Sequence, residues 1–296
     1  MISRRKMIAS LAGYTAGSLL LNDALAMSKK SAHAIGLQLY TLRNEMGKDA
    51  TGTLKKVAEL GYKEVESFGY NGKFFGMDAK TYLDTLKGLG LSAPSGHYMY
   101  GNFGTKQIPG TILYGWDKAV EDAASIGQKY MVVAYLMPDE RKSLDDYKKI
   151  AVDLNKAGET CKKAGIQLCY HNHDFEFKEI DGTLPFDILM NQTDSNMVKT
   201  ELDLYWAVKA NHQPLDLFKK YPKRIVLWHV KDMDNTEKKS FTEVGSGTID
   251  FTSIFKAHKA SGMQHFFVEQ DQCPGSPFVS IEKSIGYIKG NLIKLV

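Results

Sequence analysis

Two histidines and two acidic residues follow one short apolar segment near the middle of the chain. Residues 166–170 predict a buried strand, and His171, His173, Asp174 and Glu176 come directly after it. In an extended chain, side chains two residues apart share a face, so both imidazoles point the same way. Histidine is the commonest metal ligand and titrates near neutral pH. The segment therefore predicts one half of a metal or acid–base site; the alternative is two ordinary core or rim histidines.

Eight short apolar segments, each followed by a helical pattern of apolar residues, run through the chain from residue 34. This alternation predicts parallel strands joined by crossover helices. The predicted strands are 34–40, 62–66, 91–96, 130–135, 166–170, 198–203, 224–229 and 264–269. The predicted helices are 48–60, 79–89, 111–126, 144–164, 186–191, 215–221, 251–261 and 280–289.

Eight is the number of strands that closes an α/β barrel of the TIM type. The alternative is an open, doubly wound sheet, which often carries a glycine-rich phosphate-binding turn after its first strand. The segment from Gln38 to Arg43 contains no glycine. We therefore predict a single (β/α)8 TIM barrel domain over residues 34–296.

In such a barrel, the catalytic groups lie at the C-terminal ends of the strands. All eight predicted strands end in ionisable or hydrogen-bonding side chains, so the barrel would bring them to one mouth. These strand-end residues are Gln38, Tyr40, Glu66, His97, Tyr135, His171, His173, Glu201, Asp203, His229, Lys231, Asp232, Glu269 and Gln270.

A mixed set of nitrogen and oxygen donors stands out at the ends of strands five to eight. The predicted metal ligands are His173, with His171 as its alternative, Asp203, His229 and Glu269. Imidazole and carboxylate together suit a divalent transition metal such as manganese, zinc, cobalt or iron. A metal with open positions can chelate adjacent sugar oxygens and polarise a carbonyl, so that a base removes the neighbouring proton.

The remaining strand-end groups are candidates for catalysis and substrate binding. His171, Glu66 and Glu176 are candidate bases, and Lys231 is a candidate for stabilising an oxyanion. The alternative for Lys231 is a salt bridge to Asp203 or Glu201. Aromatic rings near the strand ends could contact a sugar ring, although each is more often a core residue. The predicted substrate-binding residues are Gln38, Tyr40, His97, Trp116, Trp206 and Gln270.

Charge and the N-terminal segment bear on partners and location. The formal net charge is only +4, and no basic run is interleaved with aromatic residues, so no nucleic-acid partner is expected.

The paired residues Arg4 and Arg5 precede a weakly apolar stretch, 7–21, and a small-x-small pattern at 24–26. This predicts a twin-arginine export signal over residues 1–26, periplasmic localisation and a mature chain without a membrane span. The alternative is an N-terminal amphipathic helix that is retained.

Several of these motifs, taken in order, resemble the sugar phosphate isomerase/epimerase group of xylose-isomerase-like barrels. That group includes inosose dehydratases, ketose 3-epimerases and an endonuclease IV branch. The resemblance implies a metal held from strands five to eight, and Asp203, His229 and Glu269 match that pattern. It leaves the fifth-strand ligand open between His171, His173 and Glu176. The motifs are Gly36–Arg43, Gly61–Glu66, Tyr170–Phe177, Leu202–Trp206, His229–Asp232 and Val268–Gln270.

The resemblance also implies an activity. It indicates a divalent-metal-dependent enzyme that abstracts a proton next to a carbonyl of a small carbohydrate, as an isomerase or epimerase. Exported relatives of this type resemble enzymes acting on 3-keto-glycosides, where the same groups would serve a lyase or hydratase. The alternatives are a non-catalytic sugar-binding barrel and an endonuclease IV-like phosphodiesterase.

Overall fold

Residues 33–101 and 106–296 are described by a computed structural model. The predicted export signal at residues 1–26 lies outside the described residues. Residues Ala34–Val296 form one unit. Within the described ranges, every helix is too short or too polar to cross a membrane.

Eight parallel strands close into a barrel. The last of them, His265–Val268, closes it by pairing with Ile225–Val230 on one side and with the first strand, Gly36–Gln38, on the other. The predicted (β/α)8 fold is therefore confirmed. The barrel strands are β1 Gly36–Gln38, β2 Glu64–Ser67, β3 Ser92–Tyr98, β4 Tyr130–Val133, β5 Gln167–His171, β6 Val198–Asp203, β7 Ile225–Val230 and β10 His265–Val268. Two further strands, β8 Asp232–Met233 and β9 Phe241–Thr242, form a separate antiparallel pair.

Helices connect successive barrel strands. Asp78 and Asp250 begin two of them, because each carboxylate accepts a hydrogen bond from a backbone N–H of the first turn. The helices are α1 Arg43–Lys48, α2 Ala50–Leu60, α3 Ala79–Gly88, α4 Trp116–Ser125, α5 Leu144–Lys163, α6 Pro185–Gln192, α7 Leu204–Lys209, α8 Pro214–Lys220, α9 Phe251–Lys256, α10 His258–Ser261 and α11 Pro277–Tyr287. Short 3₁₀ segments lie at Leu39–Leu42, Pro138–Glu140, Phe175–Phe177 and Ile293–Leu295, and a π-helical turn at Ile288–Leu292.

Two helices differ from the predicted pattern near the strand ends. The helix predicted over 111–126 begins only at Trp116, because Gly115 has a φ of +72° and cannot continue a right-handed helix. Helix α7 was not predicted; it begins directly after β6 because the Asp203 side chain accepts the backbone N–H of Trp206. The first difference bears on the predicted role of Trp116, and the second on the orientation of Asp203.

The strands bury both of their faces, as parallel barrel strands do. On β7, the Trp228 ring stacks on Phe218 of helix α8, with ring centroids 5.3 Å apart. Its neighbour Leu227 belongs instead to a separate apolar cluster with residues of three other barrel strands, Val132, Cys169 and Phe267. Adjacent residues of this strand therefore serve two different cores.

Candidate active site

Residues spaced two apart on a strand build the site in layers above that apolar cluster. On β7, Leu227 is followed at this spacing by His229 and then Lys231; on β10, Phe267 is followed by Glu269. Because side chains two residues apart share a face, the apolar level is succeeded by polar levels toward the C-terminal ends of the strands. The polar residues fall into two groups, which share two histidines.

The inner layer consists of Glu66, His97 and Glu201, which hold the buried sides of His171 and His229. Glu201 Oε2 lies 2.6 Å from His97 Nε2, 3.0 Å from His171 Nδ1 and 3.2 Å from His229 Nε2. Glu66 Oε2 lies 2.6 Å from His229 Nε2. Both carboxylates are fully buried. One nitrogen of His171 and one of His229 are thus engaged within the protein interior.

The outer layer consists of Asp203, Lys231, Glu269 and Asp271. The Lys231 ammonium lies 2.6 Å from Glu269 Oε2, 2.8 Å from Asp271 Oδ2 and 2.9 Å from Asp203 Oδ2. With all three carboxylates ionised, this layer carries a formal charge of −2 (three negative, one positive). An excess of two negative charges in a buried site favours a divalent cation.

The second nitrogens of the two shared histidines face the outer layer. His229 Nδ1 lies 2.8 Å from Glu269 Oε2 and 3.9 Å from Asp203 Oδ2, and His171 Nε2 lies 3.7 Å from the same Asp203 oxygen. One donor atom each from Asp203, His229 and Glu269 lies within 4.8 Å of the others. Imidazole nitrogen with carboxylate oxygen is a donor set that fits a divalent transition metal.

A second set of possible metal donors lies in and next to the inner layer. His97, His171, Glu201 and His229 also bring one donor atom each to within 4.8 Å of one another. In this set, however, Glu201 Oε2 is already 2.6–3.2 Å from all three imidazoles, as hydrogen-bonded partners are. The outer set of donors includes two carboxylates, Asp203 and Glu269, whereas this set includes one, Glu201.

The two layers differ in the pKa values of their carboxylates. Burial raises the pKa of Glu201 to about 7 and also raises the pKa of Glu66. Burial opposes ionisation of Glu269 as well, but Lys231 and His229 outweigh it and hold the pKa of Glu269 below its ordinary value. Burial raises the pKa of Asp203 against the attraction of Lys231.

The histidines that face the barrel mouth are neutral near pH 7. Burial lowers the pKa of His97 to about 4, and it brings the pKa values of His171 and His173 well below the ordinary value. A neutral imidazole has a lone pair with which to bind a metal or accept a proton. His229 differs, because Glu201 and Glu269 outweigh burial and raise its pKa.

A cavity of about 550 Å³ opens onto both layers. His173 lines it, and its Nδ1 is buried without a hydrogen-bond partner among the described residues. Aromatic and other apolar side chains form much of the remaining wall. The cavity is lined by Tyr40, Phe68, Gly69, Tyr70, Asn71, His97, Tyr98, Met99, Ile108, Ala134, Tyr135, His171, His173, Lys231, Glu269 and Asp271.

Comparison with known families agrees with this geometry. Residues 54–289, which are most of the chain, match the family described as xylose isomerase-like TIM barrel. The chain belongs to this family.

Two relatives of this TIM barrel are named as inosose dehydratases. The protein from Clostridium perfringens is 30% identical over 164 residues, which cover 49% of this chain and 54% of the relative. The protein from Lacticaseibacillus casei is 28% identical over 167 residues, covering 50% and 55% of the two chains. The chain thus spans about half the length of the curated relatives it matches.

Solved structures resemble the barrel over nearly its full length. A sugar phosphate isomerase/epimerase from Parabacteroides distasonis is 30% identical, with a TM-score of 0.75, over 90% of this chain and 96% of the other. A second from the same species is 27% identical, with a TM-score of 0.77, over 88% and 98%. The structural neighbours of this chain are therefore sugar phosphate isomerase/epimerases.

The structure brings most of the residues predicted from the sequence to this site. Tyr40, His97, His171, His173, Lys231 and Glu269 line the cavity, while Glu66, Asp203 and His229 are buried beside them. Gln38 acts through Glu66, because its side-chain amide donates to Glu66 Oε2 at 2.7 Å. Trp206 packs behind His173, with ring centroids 5.5 Å apart.

Four of the predicted substrate-binding residues are not among those that line the cavity: Gln38, Trp116, Trp206 and Gln270. The Trp116 indole donates to the Ala157 carbonyl of α5 at 3.2 Å and packs edge-on against Tyr98. It is therefore a packing residue between helices. Gln270 is buried, and its amide donates to the Gln272 carbonyl at 3.1 Å.

Glu176 also differs from its prediction as a base or a fifth-strand ligand. The 3₁₀ turn Phe175–Phe177 directs its carboxylate back to the protein, where Oε1 accepts from the Tyr170 hydroxyl at 2.6 Å and Oε2 from the His173 backbone N–H at 2.8 Å. Both oxygens are occupied and the residue is fully buried. Glu176 supports the segment that carries His173.

Two functional features were missed in the sequence. Asp271 was not identified, although it follows Glu269 at the same two-residue spacing that relates Lys231 to His229. Glu201 was noted only as a polar strand end and as an alternative salt-bridge partner of Lys231, whereas it contacts three histidines. The two-residue spacing could have indicated Asp271, but no local signal in the sequence identifies the histidine contacts of Glu201.

Proposed function

We propose that this protein is a divalent-metal-dependent enzyme that removes a proton next to a carbonyl of a small, unphosphorylated carbohydrate. The main support is the convergence of Asp203, His229 and Glu269 beside the cavity, where the outer layer has three carboxylates against one ammonium. When bound, the metal would polarise the carbonyl and acidify the adjacent C–H bond. Manganese, cobalt, zinc and iron all suit these donors.

We further propose that His171, rather than His173, is the fourth metal ligand. A histidine ligand usually has its other ring nitrogen held by a carboxylate or carbonyl, which fixes the orientation of the ring. His171 has this arrangement, with Nδ1 on Glu201 and Nε2 3.7 Å from Asp203. His229 has it too, with Nε2 on Glu66 and Nδ1 toward Glu269.

His173 is then available as the base. It lines the cavity, is neutral near pH 7 and has an unpartnered ring nitrogen. Glu176 fixes the backbone of His173, and Tyr135 and Phe175 pack against its ring. A ring nitrogen of His173 would accept the proton, and the Lys231 ammonium would donate a hydrogen bond to the oxyanion that develops on the carbonyl oxygen.

The cavity lining supports an unphosphorylated substrate. Among the described residues that line it, Lys231 is the single lysine and there is no arginine. Lys231 already contacts three carboxylates, and the lining histidines His97, His171 and His173 are neutral. Apart from the proposed metal, a phosphate dianion would meet negative charge without a free cationic side chain among these lining residues. The same lack of free cationic side chains weighs against the endonuclease IV-like alternative, because a nucleic-acid backbone is bound largely by such groups.

Elimination is the reaction that we place first. The similarity to inosose dehydratases supports loss of water after proton removal. The same chemistry would expel the aglycone of a 3-keto-glycoside or add water back across the resulting double bond. Isomerisation or epimerisation is the second candidate, because the resemblance to the isomerase/epimerase structures covers more of the chain.

The first experiment measures bound metal in the purified protein by mass spectrometry, with His171→Ala, His173→Ala and the control His212→Ala. His212 stacks on Phe177 outside the cavity. We expect about one divalent metal per wild-type chain, loss of that metal in His171→Ala and its retention in His173→Ala with an activity about 10²- to 10⁴-fold lower. A wild type that binds no divalent metal would contradict the proposal.

The second experiment tests the reaction with free ketoses, inososes and 3-keto-glycosides that carry a chromogenic aglycone, in deuterated water. Loss of water or release of the aglycone identifies a lyase, whereas deuterium incorporation with a new isomer and no elimination identifies an isomerase or epimerase. Saturable sugar binding without deuterium exchange or product formation would favour the alternative of a non-catalytic sugar-binding barrel.

We also propose that residues 1–26 direct export to the periplasm through the twin-arginine route. The support is the sequence pattern around Arg4 and Arg5. Cell fractionation of the wild type and of the Arg4→Lys/Arg5→Lys variant tests this, since the variant should accumulate in the cytoplasm. Periplasmic recovery of both would exclude the twin-arginine route.

A further inference from the structure

The Lys231 ammonium contacts two of the oxygens that the proposed metal would need. It lies 2.9 Å from Asp203 Oδ2 and 2.6 Å from Glu269 Oε2. These oxygens also face His229 Nδ1, at 3.9 and 2.8 Å. An ammonium and a metal ion are both cations that a pair of buried carboxylates attracts, so Lys231 is a built-in competitor for the site.

A third carboxylate draws the same ammonium in a different direction. Asp271 Oδ2 lies 2.8 Å from Lys231 Nζ, and Asp271 lines the cavity with a side chain 23% exposed, whereas Asp203 is fully buried. The ammonium is thus held between the buried pair and the cavity wall. The long, flexible lysine side chain could otherwise place its charge deeper between Asp203 and Glu269.

We infer that Asp271 is a positioning residue, which holds the Lys231 ammonium at the cavity side of Asp203 and Glu269 and so keeps the two carboxylates available to a divalent metal. This inference rests on the proposed metal-dependent function. It assigns to Asp271 a role that acts through Lys231. It also explains how a lysine and a metal share one group of carboxylates, since the third carboxylate supplies the charge that the lysine requires.

Metal affinity in a double-mutant cycle tests this role. Mn²⁺ is titrated, against a chromogenic chelator, into metal-stripped wild type, Asp271→Asn, Lys231→Met and the double variant. We expect Asp271→Asn to weaken Mn²⁺ binding about tenfold or more, within the range for a residue that acts through a ligand. In the Lys231→Met background, the same substitution should change the affinity by less than about threefold, because the competing ammonium is gone.

The cycle separates positioning from simple loss of charge. If Asp271 acted only as a distant negative charge, Asp271→Asn would weaken binding by the same factor in both backgrounds, and the inference would be wrong. An unchanged affinity in Asp271→Asn would also overturn it. If the wild type bound no Mn²⁺ or other divalent metal, the proposed function itself would fail, and the inference with it.

Controls address folding and general charge effects. Asp174→Asn removes a carboxylate from the segment that follows β5, where its partner is Lys178 at 2.7 Å, and should leave Mn²⁺ affinity unchanged. Asp271→Glu keeps the charge and should recover at least part of the affinity lost in Asp271→Asn. Thermal unfolding of all metal-stripped variants would show whether each retains the wild-type fold.

Discussion

The inner and outer layers are built from the same kinds of residue, yet they suit different tasks. Each combines carboxylates with the nitrogens of His171 and His229, and each is almost entirely buried. The inner layer is closed on itself, with Glu201 surrounded by three imidazoles. The outer layer adds a lysine and a third carboxylate, and it lines the cavity through Lys231, Glu269 and Asp271, whereas the inner layer lines it through His97 alone. Composition alone therefore does not distinguish a supporting network from a reactive one.

Two glutamates show the physical basis of the difference. Burial raises the pKa of Glu201 to about 7, so it can hold a proton near neutral pH. Glu269 is buried to a similar extent, but Lys231 and His229 keep its pKa below the ordinary value. Only an ionised carboxylate is a good metal ligand. The neighbouring ammonium thus prepares Glu269 for the role that we propose.

Glu269→Gln should have the largest effect, because it removes a proposed ligand together with its charge. We expect metal affinity to fall more than about a hundredfold, beyond the range for residues that act only through a ligand. Activity should fall with it. Chelator competition measures the affinity, and a wild-type affinity in this variant would exclude the outer layer as the metal site.

Glu201→Gln makes the same chemical change in the inner layer and should have a smaller effect. The metal would keep its ligands and Glu66 would still hold His229, but His171 would lose the carboxylate that orients it, so affinity should fall about 10- to 100-fold. The comparison of the two variants is the test. A larger loss in Glu201→Gln than in Glu269→Gln would place the metal in the inner layer instead.

Glu176→Gln should leave metal binding unchanged and alter only the pH dependence of stability. Burial raises the pKa of folded Glu176 to about 7 from its ordinary value of 4.5, so the folded state binds this proton more tightly than the unfolded state. The resulting stability is present below pH 4.5 and is lost as the pH rises toward 7. Between pH 5 and pH 8 the wild type should lose roughly 2–3 kcal/mol relative to the variant.

Urea unfolding at the two pH values measures this difference. Glutamine keeps an oxygen that can accept the His173 backbone N–H, so the local turn should persist. Parallel pH profiles for the two proteins would contradict the assignment of a raised pKa to Glu176. A changed metal affinity in Glu176→Gln would indicate that Glu176 belongs to the metal site after all.

Much of the fold could be predicted because its signals are local. Alternating apolar strands and helical periodicity give eight repeats, and Asp78 and Asp250 mark helix starts through their own side chains. The start of α4 was misplaced, because only the left-handed conformation of Gly115 shows that residues 111–115 form a turn. Helix α7 was missed, because it follows β6 with no intervening loop.

The sequence by itself determined most of the residues that reach the barrel mouth, since the two-residue period of a strand and the barrel topology fix the face on which each side chain lies. It could not decide which nitrogen of His171 faces Glu201, that Glu176 turns back toward Tyr170, or that Lys231 lies among three carboxylates. The contacts of His171 and Lys231 join strands that are distant in the chain, and their distances depend on how the barrel closes; the contact of Glu176 depends on the turn that follows β5. The tertiary structure therefore decided how these groups divide between the inner and the outer layer.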